Sequence, residues 1–256
     1  MPSNQPENSG IAVPELGMWL PPQPLGSLGR AIVGWSERLL GWSHRNQRIV
    51  PTKSPVKVNL GSGLYVAPGW INIDGSLKAL LAKCPAPLLR RSYSLITAPA
   101  VASAQQFVAL LKNNLFIHHD LKYGIPLPDR SADFIYSSHM LHHLYYDQAV
   151  ALLKEAKRVL KPGGTIRIAV PDLEYIISLY QRGQRQAALG YFFYPSVPRG
   201  ELSTRRYQYD FVLLRNLLLA TGFEAPRRCA FATGTVPDLS QLDRLPEETL
   251  YVEAQA

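Results

Sequence analysis

The sequence predicts an α/β fold: a doubly wound, mostly parallel sheet with helices on both faces. Three observations carry that expectation. The stretch VKVNLGSGLYVAPGWINIDGS, from Val56 to Ser76, reads as an apolar strand, a glycine turn and a second strand that stops at an acid. Strands and helices then alternate as far as Pro171, which calls for a parallel sheet covered on both sides. Finally, a strongly periodic helix runs into Lys161-Pro162-Gly163-Gly164 and then into an apolar strand.

Taken in order, Val56–Leu60 is strand one and Trp70–Asp74 strand two. Residues 101–113 carry a helical pattern through Val101, Phe107, Val108, Leu110 and Leu111, and Phe116–His119 is strand three. Asp133–Ser137 is strand four. Over Gln148–Leu160 the residues Ala149, Leu152, Leu153, Ala156 and Leu160 form one helical stripe, and Thr165–Val170 is strand five. Beyond Pro171 the pattern changes. Leu173–Tyr180 reads as a helix, 181–206 as irregular and aromatic-rich, and Phe211–Ala220 as a helix stopped by Gly222. Arg228–Ala232 and Thr249–Ala254 supply two late strands. Only nine residues, 61–69, separate strands one and two, so any helix there spans a turn or two at most.

Upstream, residues 1–24 are rich in Pro, Ser, Asn and Gly and are expected to be disordered. Leu25, Leu28, Ile32, Trp35 and Leu39 recur at steps of three and four. Two readings stand: a helix packed on the main domain, or a membrane-surface helix with Trp35 and Trp42 as anchors. Residues 44–55 look like a linker. The expected organisation is an N-terminal extension over 1–50, a main domain over 51–256, and a lid insertion near 173–206.

Composition narrows the classes. The chain has 256 residues and 46% apolar content, enough for a sizeable core. No stretch reaches eighteen uninterrupted apolar residues, so no transmembrane helix is expected, and the N-terminus lacks the order of a secretory signal. Cys84 and Cys229 form no CxxC pair, which fits a reducing, cytoplasmic setting. The net charge of +8 favours anionic partners. Nucleic acid is not expected, because Arg90-Arg91, Arg205-Arg206 and Arg227-Arg228 sit in no recognisable nucleic-acid motif.

The glycine turn has a physical logic. Its backbone N–H groups point at a ligand above the strand ends, and an acid closing strand two can accept hydrogen bonds from a ribose diol. Val66 stands where a dinucleotide loop needs a third glycine, and no GK[ST] follows, so neither NAD nor ATP is the first choice. The ordered set VNLGSG, GWINID, HHDLKYGIPLPDRSADFIYSSHMLHHL, LLKEAKRVLKPGGTIRIAVPD, RRYQYDFVLLRNLLLATGF and ETLYVEA resembles the class I S-adenosylmethionine-dependent methyltransferases. The likeness is to a small subgroup with an NLGSG…GWINID first motif. It implies a Rossmann-like, mostly parallel, seven-stranded sheet and S-adenosylmethionine as cofactor. It also implies transfer of a methyl group to an oxygen or nitrogen acceptor, with a sugar or other small molecule as partner.

Carried over by position, the resemblance sets Gly61, Ser62 and Gly63 against the methionine moiety, with Asn59 replacing the family's acid two residues earlier. Asp74 would bind the ribose hydroxyls. Asp120 and the backbone of Leu121 would meet the adenine. Ser138 and His139 would line the cofactor near its sulfonium. The family's usual third glycine is Tyr65, and Arg205 stands where the subgroup often has His. His139, His142 and His143 fall within six residues. A metal set, a general base and simple packing are the alternatives, with His139 and His142 the better base candidates and no metal expected. Asp172 is either a further base or the N-cap of the next helix. A silent methyltransferase-like module, binding partners or a membrane surface, is the competing expectation.

Overall fold

The computed structural model describes Trp35 and residues 39–96, 103–193 and 204–256. Residues 1–34, and with them the expected disordered leader and the apolar positions Leu25–Ile32, lie outside the described residues. One seven-stranded sheet organises the described chain. Its strands are β1 (Lys57–Leu60), β2 (Trp70–Asp74), β3 (Leu115–His118), β4 (Ala132–Ser138), β5 (Leu160–Pro171), β6 (Glu224–Cys229) and β7 (Thr249–Gln255). Their order across the sheet is β3-β2-β1-β4-β5-β7-β6. The first five strands run parallel, and β7 lies antiparallel to both β5 and β6. This is the mostly parallel sheet that the alternating pattern predicts. The order reverses direction between β1 and β4, so the crevice above their C-terminal ends is the place where such a sheet holds a ligand.

One face of the sheet presents Val58, Leu60, Ile73, Ile135, Ile168, Val170 and Val252 to two helices, α5 (Tyr146–Val159) and α8 (Phe211–Ala220). The predicted stripe of α5 is the buried one: Ala149, Leu152, Leu153 and Ala156, joined by Val159. Each fully buried Leu or Val contributes on the order of 1.5–3 kcal/mol. Beyond the edge of the opposite face, α2 (Leu77–Leu81), α3 (Ala86–Ile96) and α4 (Ala104–Asn113) enclose Leu89, Phe107, Leu111 and Phe116. The sequence periodicity marks only α4 among these. Its start is set by Ser103, whose hydroxyl accepts from the Gln106 N–H.

Between β1 and β2 there is no helix, only turns over residues 61–69. The centre of that face is covered from elsewhere. Ala67, Trp70 and Tyr136 pack against Val236, Leu239 and Leu242 from the β6–β7 connection, the last two on the short α9 (Leu239–Leu242). Asp238 ties the two parts together: it accepts from Lys57 Nζ at 2.7 Å and from Trp70 Nε1 at 2.8 Å. Beside it, the fully buried Arg167 pairs with Asp243 at 2.6 Å and Glu253 at 3.2 Å and donates to the carbonyls of Thr233 and Ala230.

Two expectations need correction. The segment after α6 (Leu173–Gln181) is not irregular throughout: α7 (Arg185–Phe193) follows at once. Gly183, at φ +83°, reverses the chain, and Ala188 packs on Ile176 and Leu179. Residues 194–203 lie outside the described residues. The first late strand runs over Glu224–Cys229, not Arg228–Ala232. Pairing of Cys229 with Tyr251 ends it, and Ala230 leaves the sheet to accept from Arg167. Pro226 inside β6 is tolerated because β6 is an edge strand.

At the N-terminal side, residues 39–44 form a helical segment, α1. It meets the domain at the end of β3. A Cβ on Gly41 would lie 3.1 Å from that of Asp120, and His44 Nδ1 is 3.0 Å from His118 Nδ1. Trp35, Leu39 and Trp42 stay exposed. Among the described residues no helix is long and apolar enough to cross a membrane.

Candidate cofactor and acceptor site

The crevice at the reversal of the sheet is built from the ends of β1, β2, β3 and β4. The chain leaves β1 through Gly61 at φ +66° and Gly63 at φ +54°, values that favour glycine. Two groups hold this turn. Asp74, at the end of β2, accepts from the Gly63 N–H at 2.7 Å on one oxygen and from the Ser76 N–H at 2.7 Å on the other. Asn59, buried in β1, donates its amide to the Tyr65 carbonyl at 2.9 Å and to Asn72 Oδ1 at 3.1 Å. The hydroxyl oxygens of Ser62, one residue before Gly63, and of Ser76 are buried and without a hydrogen-bond partner among the described residues. Opposite the turn, from the β4 loop, comes Met140: a Cβ on Gly61 would meet Met140 Cγ at 2.2 Å.

At the end of β3, Asp120 caps a single 3-10 turn over Leu121–Tyr123. It accepts from the Lys122 N–H at 3.0 Å and pairs with Lys122 Nζ at 2.7 Å. Burial, and after it the neighbouring His44, lower the His118 pKa. His119 turns away to the Gly124 carbonyl, at 3.0 Å.

The end of β4 carries Ser138, buried, and then His139 in the left-handed region at φ +49°. That conformation costs a side chain about 1–2 kcal/mol, so the surrounding contacts must hold it. The His139 N–H donates to the Ala169 carbonyl at 2.8 Å, and its Nε2 lies 3.1 Å from Thr249 Oγ1 at the start of β7. His142 stands edge-on to it, with ring centroids 5.9 Å apart. His142 is 1% exposed and its Nδ1 has no partner among the described residues. His143 Nδ1 lies 3.1 Å from the Thr204 carbonyl.

All three imidazoles are held neutral. Burial, then the charges of Arg244 and Arg205, keep His139 well below its ordinary pKa. Burial, then the two neighbouring histidines, do the same for His142. Burial lowers His143 to about 4. The site therefore presents uncharged imidazole at neutral pH, the form that accepts protons.

Asp172 sits just past β5 with both carboxylate oxygens engaged. It caps α6 by accepting from the Glu174 N–H at 3.0 Å, and it pairs with Arg228 at 2.5 Å. Burial raises its pKa despite that arginine. The structure thus brings Asn59, Gly61, Ser62, Gly63 and Asp74 into one cradle, with Ser138 and His139 across the crevice. Asp120 and Leu121 stand at its far end. Among the described residues no group of three or more His, Cys, Asp or Glu is placed to hold a metal.

Sequence reasoning missed Thr249, Met140 and Arg244. Thr249 falls at the start of a predicted strand and Met140 in a predicted loop, with no motif to mark them. Arg244 lies in LDRLPEE, a run of mixed charge that reads as solvated surface.

Residues 86–168 match a family model described as a methyltransferase domain. The match takes in α3 through most of β5, and so Asp120, Leu121, Ser138, His139 and His142; the glycine turn and Asp74 lie before it. No curated protein matches the chain. Among solved structures, the chain is similar to one from the complex between the Haloferax volcanii Trm112 methyltransferase activator and a methyltransferase. That likeness has 16% identity and TM-score 0.45, over 90% of this chain and 92% of that one. An S-adenosylmethionine dependent methyltransferase from Archaeoglobus fulgidus gives 15% identity and TM-score 0.44, with 89% and 94% covered. One from Mesorhizobium loti gives 18% and 0.43, with 78% and 90% covered.

Proposed function

We propose that the chain, whose residues 86–168 match a methyltransferase domain, is a class I S-adenosylmethionine-dependent enzyme that moves a methyl group to an oxygen or nitrogen of a small-molecule acceptor, a sugar being one such class. The observation that carries the proposal is the pairing across the switch point. A glycine turn clamped on Asp74 faces a neutral histidine held in a strained backbone conformation. The residues present fit the cofactor. Each Asp74 oxygen keeps a second lone pair for a ribose hydroxyl, and the Ser62 and Ser76 hydroxyls on the same turns are buried without a partner among the described residues. Buried polar atoms without partners are rare in proteins and are expected where a ligand completes them. Gly61 and Gly63 would take the methionyl end, supported by Asn59. Asp120 and Leu121 would take the adenine, and Ser138 and His139 the methyl end.

S-adenosylmethionine, when bound, supplies a methyl group already activated by a sulfonium. What remains for the protein is alignment and, for a hydroxyl or ammonium acceptor, removal of a proton. His139 suits that task. Thr249 Oγ1 lies 3.3 Å from the Arg244 carbonyl and can donate its hydroxyl proton there. In that arrangement His139 Nε2 donates to Thr249, and the lone pair on Nδ1 is left to take the proton. His142 backs the His139 ring from below. Asp172, committed as cap and ion-pair partner, positions α6. We assign residues 51–256 to the catalytic domain, with α6 and α7 as the lid over the acceptor. Tyr191 of α7 reaches Glu248 with its hydroxyl, and the Arg205 guanidinium lies 5.2 Å from the Tyr191 ring.

An acceptor screen with labelled methyl donor tests this. His139→Asn is expected to lower turnover about 10²–10⁴-fold at saturating cofactor, in a variant that still melts cooperatively. Unchanged turnover in the variant would remove His139 as the base. Saturable cofactor binding with no transfer to any acceptor would instead support the silent-module reading, which the Asn59 and Tyr65 departures motivate.

A further inference from the structure

Arg244, in the short stretch between α9 and β7, is half-buried and stands apart from the arginines that carry ion pairs. Arg158 pairs with Glu155 and Asp129, Arg167 with Asp243 and Glu253, and Arg228 with Asp172 and Glu174. Among the described residues no carboxylate lies within ion-pair distance of Arg244. The acids that could neutralise it are used elsewhere: Asp243, its neighbour in sequence, turns to Arg167, and Glu248 accepts from Tyr191. Its Nε is buried with no hydrogen-bond partner among the described residues.

The residue is nonetheless held in place. Its guanidinium carbon stacks 3.9 Å from the centroid of the Tyr65 ring, in the loop that leaves the glycine turn. Its carbonyl accepts from the hydroxyls of Thr249 and Tyr251. Thr249 is the partner of His139. A fixed, partly buried cation therefore sits between the cradle and the base. The position that sequence logic marks as a missing glycine, Tyr65, is its platform.

A guanidinium stacked on an aromatic face keeps its N–H edge free, and that edge matches the two oxygens of a carboxylate or phosphate. Water alone is a poor partner for a cation stored this way, since leaving a buried donor unmade is costly. We propose that Arg244, stacked on Tyr65, is the seat of an oxyanion, a carboxylate or a phosphate, carried by the ligand that meets His139. The proposal rests on the reading of the crevice as a methyl-transfer site. Two groups present this chemistry there: the carboxylate of the cofactor's methionyl end, and an acidic group on the acceptor. Arg205 adds positive charge on the acceptor side, where it acts on the same histidines.

Calorimetry on the full chain separates the sources. The probes are S-adenosylhomocysteine, which has the carboxylate, methylthioadenosine, which lacks it, and inorganic phosphate. If the methionyl carboxylate is the anion, Arg244→Gln weakens S-adenosylhomocysteine at least about tenfold, a difference of about 1.4 kcal/mol, and leaves methylthioadenosine unchanged. If the acceptor carries it, both nucleosides bind Arg244→Gln as they bind wild type, and phosphate binding to the S-adenosylhomocysteine complex is lost. In either case Arg244→Lys, which keeps the charge without the fork, recovers only part of the binding. Equal affinities of wild type and Arg244→Gln for all three probes overturn the proposal. Absence of nucleoside binding by wild type would defeat the methyl-transfer reading, and titration of the protein alone with phosphate, wild type against Arg244→Gln, would then decide the anion seat. Unchanged melting temperature of the variant excludes misfolding as the cause.

Discussion

Gly61 concentrates the physics of the site in one residue. It needs a positive φ, and its missing side chain admits Met140 from the β4 loop. Gly61→Ala therefore carries two penalties, about 1–2 kcal/mol of backbone strain and a clash with Met140. Adding Met140→Ala should return only the second, which urea unfolding of the two variants would measure. If the double variant regains full stability, backbone strain has no part. His143 supplies a pH test. Its pKa falls from 6.5 to about 4 on folding, so the unfolded chain takes up its proton first as pH drops. Its stabilising contribution is complete above about pH 6.5 and fades toward pH 4. The slope is up to about 1.4 kcal/mol per pH unit. His143→Gln should flatten that part of a urea-midpoint profile, and an unaltered slope would contradict the assignment. At this scale the glycines, Asp74 and the histidine cluster are visible in the sequence, because turn chemistry and strand ends are local. Thr249 and Arg244 are not. They reach the site only through the pairing of β5 with β7, which no local pattern encodes.

Among the elements, the connection from β1 to β2 departs most from the ordinary crossover. Turns replace the helix, and the sheet face it would cover is filled by α9 and Val236 from far along the chain. Asp238 is the fastening. Asp238→Ala would leave Lys57 and the buried indole N–H of Trp70 without their acceptor. A loss of about 1–3 kcal/mol is expected, read from the denaturation midpoint, and a loss below about 0.5 kcal/mol would show that apolar packing alone seats the segment. The short spacing of 61–69 foretells the absent helix, but nothing in it tells what takes the helix's place. The strands and α5 are legible because their apolar periods are long and clean. α2, α3 and α7 escape because Pro, Gly and mixed polarity blur the period, and their faces are defined only by what they pack against.

For the molecule as a whole, the order β3-β2-β1-β4-β5-β7-β6 explains why residues from 59 to 249 meet in one crevice. The reversal beside β1 sets the glycine turn opposite the β4 loop, and the antiparallel β7 delivers Thr249 and Arg244 to the same edge. The buried Arg167 pairs span β5, β7 and the β6–β7 connection, and so hold the edge that carries them. The alternation of strands and helices foretells a parallel sheet, and the reversal at its centre follows from the resemblance. The antiparallel insertion of β7 depends on long-range pairing alone. Binding of S-adenosylmethionine in this crevice through Asp74 is the proposal on which the rest depends. Titration calorimetry of folded wild type and Asp74→Asn with S-adenosylmethionine tests it most directly. One saturable site is expected in wild type, weakened at least about tenfold, or about 1.4 kcal/mol, in a variant that still melts cooperatively; no binding by wild type at millimolar ligand, or equal binding by both, would contradict the assignment.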